Sequence, residues 1–234
     1  EVETYYVRKL TDFLDPREQY ICESIIGKNQ DVQLHLFGGK EPLERKRAIL
    51  APYYEEISKQ DFELVLLSCT YPQKFVLITH RDVLGAVMSA GVKRQKIGDI
   101  IVHDGIIQLI CDETIASYLK IHFNQIKNSK IQWKEESFER LIFPKHQWHE
   151  NQGTVSSLRL DAVLKEMYRI SRSQAVEYIS KGFIKVNFKL VENPSFQMEE
   201  GDIISFRKKG RSKIVKINGK TKKDKVRITF AMLK

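Results

Sequence analysis

Between residues 62 and 133 the apolar residues switch repeatedly between a strand-like and a helix-like period, and the order of those switches leaves few folds open. Residues 62–70 (FELVLLSCT) are a near-continuous apolar run with strand character, which residues 75–79 extend or pair with. Residues 81–90 read as a helix: Val83, Leu84, Val87 and Met88 share a face, and Gly91 stops it. Residues 97–102 are a predicted strand, His103-Asp104-Gly105 a turn, and residues 106–111 the returning strand. Asp112 and Glu113 open a second helix to about residue 127, with Ile115, Leu119, His122 and Ile126 on one stripe. Ile131-Gln132-Trp133 then reads as a short strand.

Strand, helix, strand, strand, helix, strand is the split-βαβ order of ferredoxin-like and RNA-recognition-motif folds. The aromatic stacking signature of that second group is absent: the third strand reads Ile106-Ile107-Gln108-Leu109-Ile110. A basic cluster, Lys93, Arg94 and Lys96 around Gln95, enters the second strand instead. Upstream, Asp15-Pro16-Arg17-Glu18 fits a capped helix start, and that helix runs to Gly27. Residues 32–37 alternate like a strand and stop at Gly38-Gly39; a charged helix is predicted over 42–50, ended by Ala51-Pro52. Residues 139–156 lack periodicity and hold Pro144, Gly153 and many polar residues. The predicted organisation is α+β: an α/β extension (1–60), a split-βαβ middle domain (61–138), a linker (139–156) and a C-terminal domain (157–234) of two helices and a small sheet.

Charge divides along the same line. Residues 1–156 hold 20 Lys and Arg against 22 Asp and Glu, whereas residues 157–234 hold 19 against 8. The whole net charge of +9 therefore comes from the last third, and that third is also rich in patterned apolar residues, so it should fold rather than trail as a tail. The three cysteines, Cys22, Cys69 and Cys111, lie far apart in apolar or helical patterns, which argues for a reducing compartment. No apolar run approaches the ~20 residues of a membrane span. The acidic opening, Glu1-Val2-Glu3-Thr4, is unlike a signal peptide, and its lack of Met leads us to expect residues before it. A cytoplasmic protein is expected, and a monomer is favoured.

Within the basic third, Ser157 is the expected cap of a helix carrying Leu160, Val163, Leu164 and Met167. Ser171-Arg172-Ser173-Gln174 fits a capping box, so a second helix should begin at Arg172 and end at Lys181-Gly182. Residues 183–187 and 203–207 follow as strands, with a final hairpin tipped by Lys220, Lys222, Lys223 and Lys225. A helix N-terminus is a ready phosphate site. The candidate RNA contacts there are Ser171, Arg172, Ser173 and Gln174, ringed by Arg159, Lys181 and Lys185. Arg207, Lys208, Lys209, Arg211 and Lys213 would add a second backbone contact, and Lys93, Arg94 and Lys96 a third. Ser171 and Gln174 serve as caps whether or not they touch RNA. Tyr178 and Phe188 have the chemistry to stack on bases, although core packing is the commoner fate of such rings.

Five blocks now stand in order: Arg159-Leu160-Asp161; Ser171-Arg172-Ser173 with Ala175; Gly182, Ile184, Val186 and Asn187; Gly201-Asp202-Ile203; and Arg207 with Gly210-Arg211. Together they resemble the small RNA-binding domain named after ribosomal small-subunit protein S-four. The wider chain resembles the bacterial YlmH family, through Gly38-Gly39 before Glu44-Arg45-Lys46-Arg47-Ala48, through residues 93–100, and through residues 154–161. The resemblance implies an RNA-recognition-like middle domain and a ribosome-associated role. Members are linked to quality control on large subunits carrying stalled peptidyl-tRNA and, by gene neighbourhood, to cell division.

The expected partner is therefore RNA, namely rRNA with tRNA beside it on the ribosome. No phosphate-binding loop, nucleophile elbow or zinc-protease motif is present, so neither catalysis nor a cofactor is expected. His146 and His149, three apart, have no Cys or acid cluster beside them and read as ordinary linker histidines. The competing readings are an RNA-modifying enzyme such as a pseudouridine synthase, marked by a deep pocket with a perturbed carboxylate, and a cell-division adaptor, marked by an exposed apolar patch on the middle domain.

Overall fold

A computed structural model describes residues 2, 7–27, 31–143, 148–207 and 209–233. The chain forms two compact units, Glu1–Pro144 and Lys145–Lys234.

The first unit opens with β1 (Lys9–Leu14), α1 (Pro16–Ile26), β2 (Val32–Phe37) and β3 (Lys46–Pro52). Asp15 accepts from the Glu18 N–H, and the Glu18 carboxylate accepts from the Asp15 N–H at 2.7 Å, so the expected capping box starts α1. The charged helix expected over 42–50 is a strand instead. β3 is the middle strand of the antiparallel sheet β1-β3-β2, with partners on both edges. Ala48, Ile49 and Ala51 are buried, and even Arg47 is only 4% exposed. Pairing on both sides satisfies the backbone, and burial overrides a charge pattern that looks solvated.

Next come β4 (Leu64–Thr70), α2 (His80–Ser89), β5 (Ile97–His103), β6 (Ile106–Asp112), α3 (Glu113–His122), β7 (Gln125–Ile126), β8 (Ser129–Lys130) and β9 (Lys134–Glu136). The sheet order is β5-β6-β4-β9, antiparallel throughout. That is the spatial order second, third, first, fourth of the split-βαβ motif. Residues 75–79 form no strand, and the closing strand begins one residue after Trp133. α3 stops at His122, yet Ile126 stays in the core because the β7-β8 ribbon returns it there. The apolar stripe marked burial and overran the element.

Both faces of this sheet are covered. On the helix side, Leu67, Cys69, Ile107, Leu109 and Cys111 pack with Val83, Val87 and Leu119. On the other side, Leu66, Ile101 and Ile110 pack with Phe13 of β1, Leu43 and Leu141. Gly98 makes that approach possible: a Cβ there would lie 2.7 Å from the Phe13 ring and 3.2 Å from Ile110. Gln108 of β6 donates to the Arg140 carbonyl at 2.9 Å and accepts from the Ile142 N–H at 2.7 Å. It ties residues 140–142 to the face that an RNA-recognition motif would leave open.

The second unit contains β10 (Trp148–Val155), α4 (Leu160–Tyr168), α5 (Arg172–Ser180), β11 (Ile184–Val186), β12 (Lys189–Leu190), β13 (Ile203–Phe206), β14 (Gly210–Lys220) and β15 (Val226–Leu233). Its six-stranded sheet runs β10-β15-β14-β13-β11-β12. Residues 148–155, read from sequence as linker, pair with β15 from Trp148↔Leu233 to Val155↔Val226. As an edge strand, mostly exposed, β10 is held by its backbone ladder and has no apolar alternation to betray it. Val163, Leu164, Met167, Ala175 and Ile179 of the helices pack on Ile184, Ile204, Phe206, Ile214 and Phe230 of the sheet.

Candidate nucleic-acid interface

α5 begins where its sequence says it should. Ser171 Oγ accepts from the Gln174 N–H at 3.1 Å, and Gln174 Oε1 accepts from the Ser171 N–H at 3.0 Å. The N–H groups of Arg172 and Ser173 are the two of the first turn that this box does not use, and they sit at the positive end of the helix dipole.

Beside them lies a buried carboxylate. Asp161, in the first turn of α4, has a side chain 1% exposed. It accepts from Arg159 through Nε (3.1 Å) and Nη2 (2.9 Å), and from Arg172 through Nε (3.0 Å). Burial works against its charge, but the hydrogen bonds from Arg159 and Arg172 outweigh that and hold its pKa below the ordinary carboxylate value. Both arginine side chains remain partly exposed, Arg172 the more so. Two positive groups on one negative group leave a net positive site, with orientations fixed from below. Sequence reasoning placed Asp161 in a motif but gave it no role. Its signal was the Arg-x-Asp spacing at a helix start.

The remaining candidates do not converge on that site. Lys181 caps the far end of α5, about 13 Å of helix from Arg172, and pairs with Glu177. Lys185 projects from β11 opposite the buried Ile184 and Val186, away from the helices. It pairs across to Ser205, which pairs with Arg211. Arg207 and Lys209 lie in the β13–β14 turn, over the rings of Phe183 (5.3 Å) and Phe206 (5.8 Å). Lys208 falls outside the described residues. Tyr178 packs against Phe183 and Phe206.

In the first unit, Lys93 is exposed. Arg94 donates to the carbonyls of Ile97 (2.6 Å) and Gly98 (3.0 Å), and Lys96 bridges Asp12 (2.8 Å) and the buried Asp112 (2.9 Å). Arg47 also reaches Asp112 at 3.4 Å. Burial opposes the Asp112 charge, but hydrogen bonds from Lys96 and Thr114, with the Arg47 charge, lower its pKa. Arg45 donates to the carbonyls of Ile97 and Phe13. Lys96, Arg45 and Arg47 thus tie β1 and β3 to the middle sheet, whereas the Arg94 bonds to Ile97 and Gly98 stay within its own turn and β5.

A family profile described as a putative RNA-binding domain in YlmH matches residues 58–140, which hold the split-βαβ unit, and one described as the S4 domain matches residues 158–204. The chain is 44% identical over 229 residues to ribosome-associated protein quality control protein P2 of Bacillus subtilis, covering 98% of this chain and 89% of that protein. It is 46% identical over 55 residues to small ribosomal subunit protein uS4 of Finegoldia magna, covering 23% of this chain and 28% of that protein, so this likeness concerns one domain. A solved structure titled cell division protein ylmH, from Streptococcus pneumoniae, matches with a TM-score of 0.53 at 26% identity, covering 61% of this chain and 86% of that one.

Proposed function

This chain belongs to the YlmH family, and from that premise we propose that it is a noncatalytic, cytoplasmic RNA-binding protein that holds structured RNA on the large ribosomal subunit, tRNA included. The observation that carries the reading is the pair Arg159 and Arg172, pinned by buried Asp161 beside the free amides of α5. A phosphate placed there meets two guanidiniums already in position and two backbone donors. The Bacillus relative's name supplies the ribosome, and its quality-control title supplies the process.

Buried Asp112 and Asp161 are held in ion pairs, and Asp99, whose pKa burial raises, accepts the Arg45 N–H. The cavity of about 470 Å³ beside α1 is lined by Glu23, Ile26, Val32, Gln33, Leu34 and Leu36, a set without a paired acid and base. Among the described residues no cluster of three metal-ligating side chains occurs, and no helix is long and apolar enough to cross a membrane.

The test is co-sedimentation with purified ribosomal subunits across a salt series. Wild type should travel with the large subunit. Arg159→Ala and Arg172→Ala should each weaken binding roughly tenfold or more while circular dichroism stays unchanged. Unchanged affinity in both variants would remove the site, and no association at low salt would remove the ribosome. An adaptor reading is favoured by one observation, Phe75 (86% exposed) and Leu77 (72%) on the loop before α2. Under that reading Phe75→Ser with Leu77→Ser would abolish a protein partner and leave RNA binding intact.

A further inference from the structure

The six-stranded sheet has a second face, opposite α4 and α5. Lys185, Ser205 and Arg211 form one cross-strand row on it, and Lys213 follows two residues along β14. The alternate residues Ile184, Ile204, Ser212 and Ile214 are buried on the helix side. The solvent side of an antiparallel sheet ordinarily carries polar side chains. Here it carries two aromatic rings as well. Phe188, in the β11–β12 turn, lies beneath Arg211, whose guanidinium carbon is 5.5 Å from the ring centroid. Trp148 pairs with Leu233, whose neighbour Met232 is opposite inward-facing Ser212, so Trp148 belongs to the same outer face. Lys213 Nζ stands 4.8 Å from its ring centroid. Both rings are half-buried.

We propose that this face is a stacking platform for unpaired bases of RNA. A ring beside a cation suits a nucleotide: the base stacks with the ring, and the neighbouring Arg or Lys attracts the adjacent phosphate. Arg211 and Lys213 are two residues apart on β14, and the rings they contact lie on either side of that strand, Phe188 toward β11–β12 and Trp148 on β10. The proposal rests on the RNA-binding reading above but uses neither Arg159 nor Arg172. The α5 site grips phosphates, whereas this face selects RNA whose bases are out of the helix, such as a loop.

The full chain supplies its own reporter. Trp133 is buried in the first unit and stacked on Phe123, so Trp148 is the tryptophan a ligand can reach. Titration with a short oligoadenylate should quench the fluorescence, whereas an RNA duplex of equal length should bind with little quenching. Trp148→Ala and Phe188→Ala should each weaken oligoadenylate binding roughly tenfold. Trp148→Phe should keep the affinity and lose the signal, and Lys213→Ala, a surface change, should weaken binding without altering the circular dichroism. The duplex should depend on Arg172 and not on either ring. If oligoadenylate leaves Trp148 unquenched and both alanine variants bind it like wild type, the platform is refuted and the α5 site stands. If the ring variants keep the oligonucleotide and lose a ribosomal protein instead, the face docks protein and the platform is likewise refuted. If wild type binds neither RNA, both readings fall together.

Discussion

Asp161 decides how much freedom Arg159 and Arg172 retain before a ligand arrives. A free arginine gives up rotamer entropy on the order of 2 kcal/mol when fixed, and here much of that is lost on folding rather than on binding. Asp161→Asn therefore separates orientation from charge. The variant gains a net positive charge, which on electrostatics alone should tighten RNA. We expect weaker RNA binding, together with a loss of roughly 1–3 kcal/mol in urea unfolding. Tighter binding would show that orientation is unimportant. The pH dependence follows from the lowered pKa. Stability from Asp161 is fully present above its unfolded value of about 3.9 and is lost as pH falls through the lower folded value. Urea midpoints measured from pH 6 down to pH 3 should thus fall more steeply in wild type than in the Asn variant. At this scale the sequence showed charges but not their direction. Arg172 and Lys96 looked alike as basic residues beside an element start, yet Arg172 stays at the surface while Lys96 is engaged by two aspartates.

Elements were legible where their ends carry their own chemistry. α1 and α5 start at their capping boxes because those hydrogen bonds are local. Ser171→Ala should cost about 1 kcal/mol by thermal unfolding and fray the turn that holds Arg172, lowering RNA affinity too. β3 and β10 were hidden for opposite reasons. β3 is so enclosed that even its Arg47 is buried, and β10 so exposed between its two ends that its middle residues are held by the backbone ladder. Gly98 is a third case, a glycine in a strand interior that marks the place where Phe13 docks. Gly98→Ala forces that ring to move and should destabilise the first unit by roughly 1–3 kcal/mol, read from the unfolding of Trp133 fluorescence. A neutral result would mean that the ring has room to retreat.

For the whole chain, the division of charge predicts where salt acts. With about five phosphates engaged, the logarithm of the RNA affinity should fall against the logarithm of salt with a slope of roughly −3.5 to −4.5, measurable by filter binding. Arg172→Ala should flatten it by about one. A slope near zero would point to a partner held without phosphates. The first unit was legible as a split-βαβ order, but the sequence could not show that its sheet is layered on both faces, because the covering residues Phe13, Leu43 and Leu141 lie outside the motif. That double covering also sets a time scale. β4 and β6 each have strand neighbours on both edges and apolar layers above and below. Their amide protons should exchange with solvent only when the unit opens as a whole, so the slowest deuterium uptake in this half of the protein reports its global unfolding free energy directly.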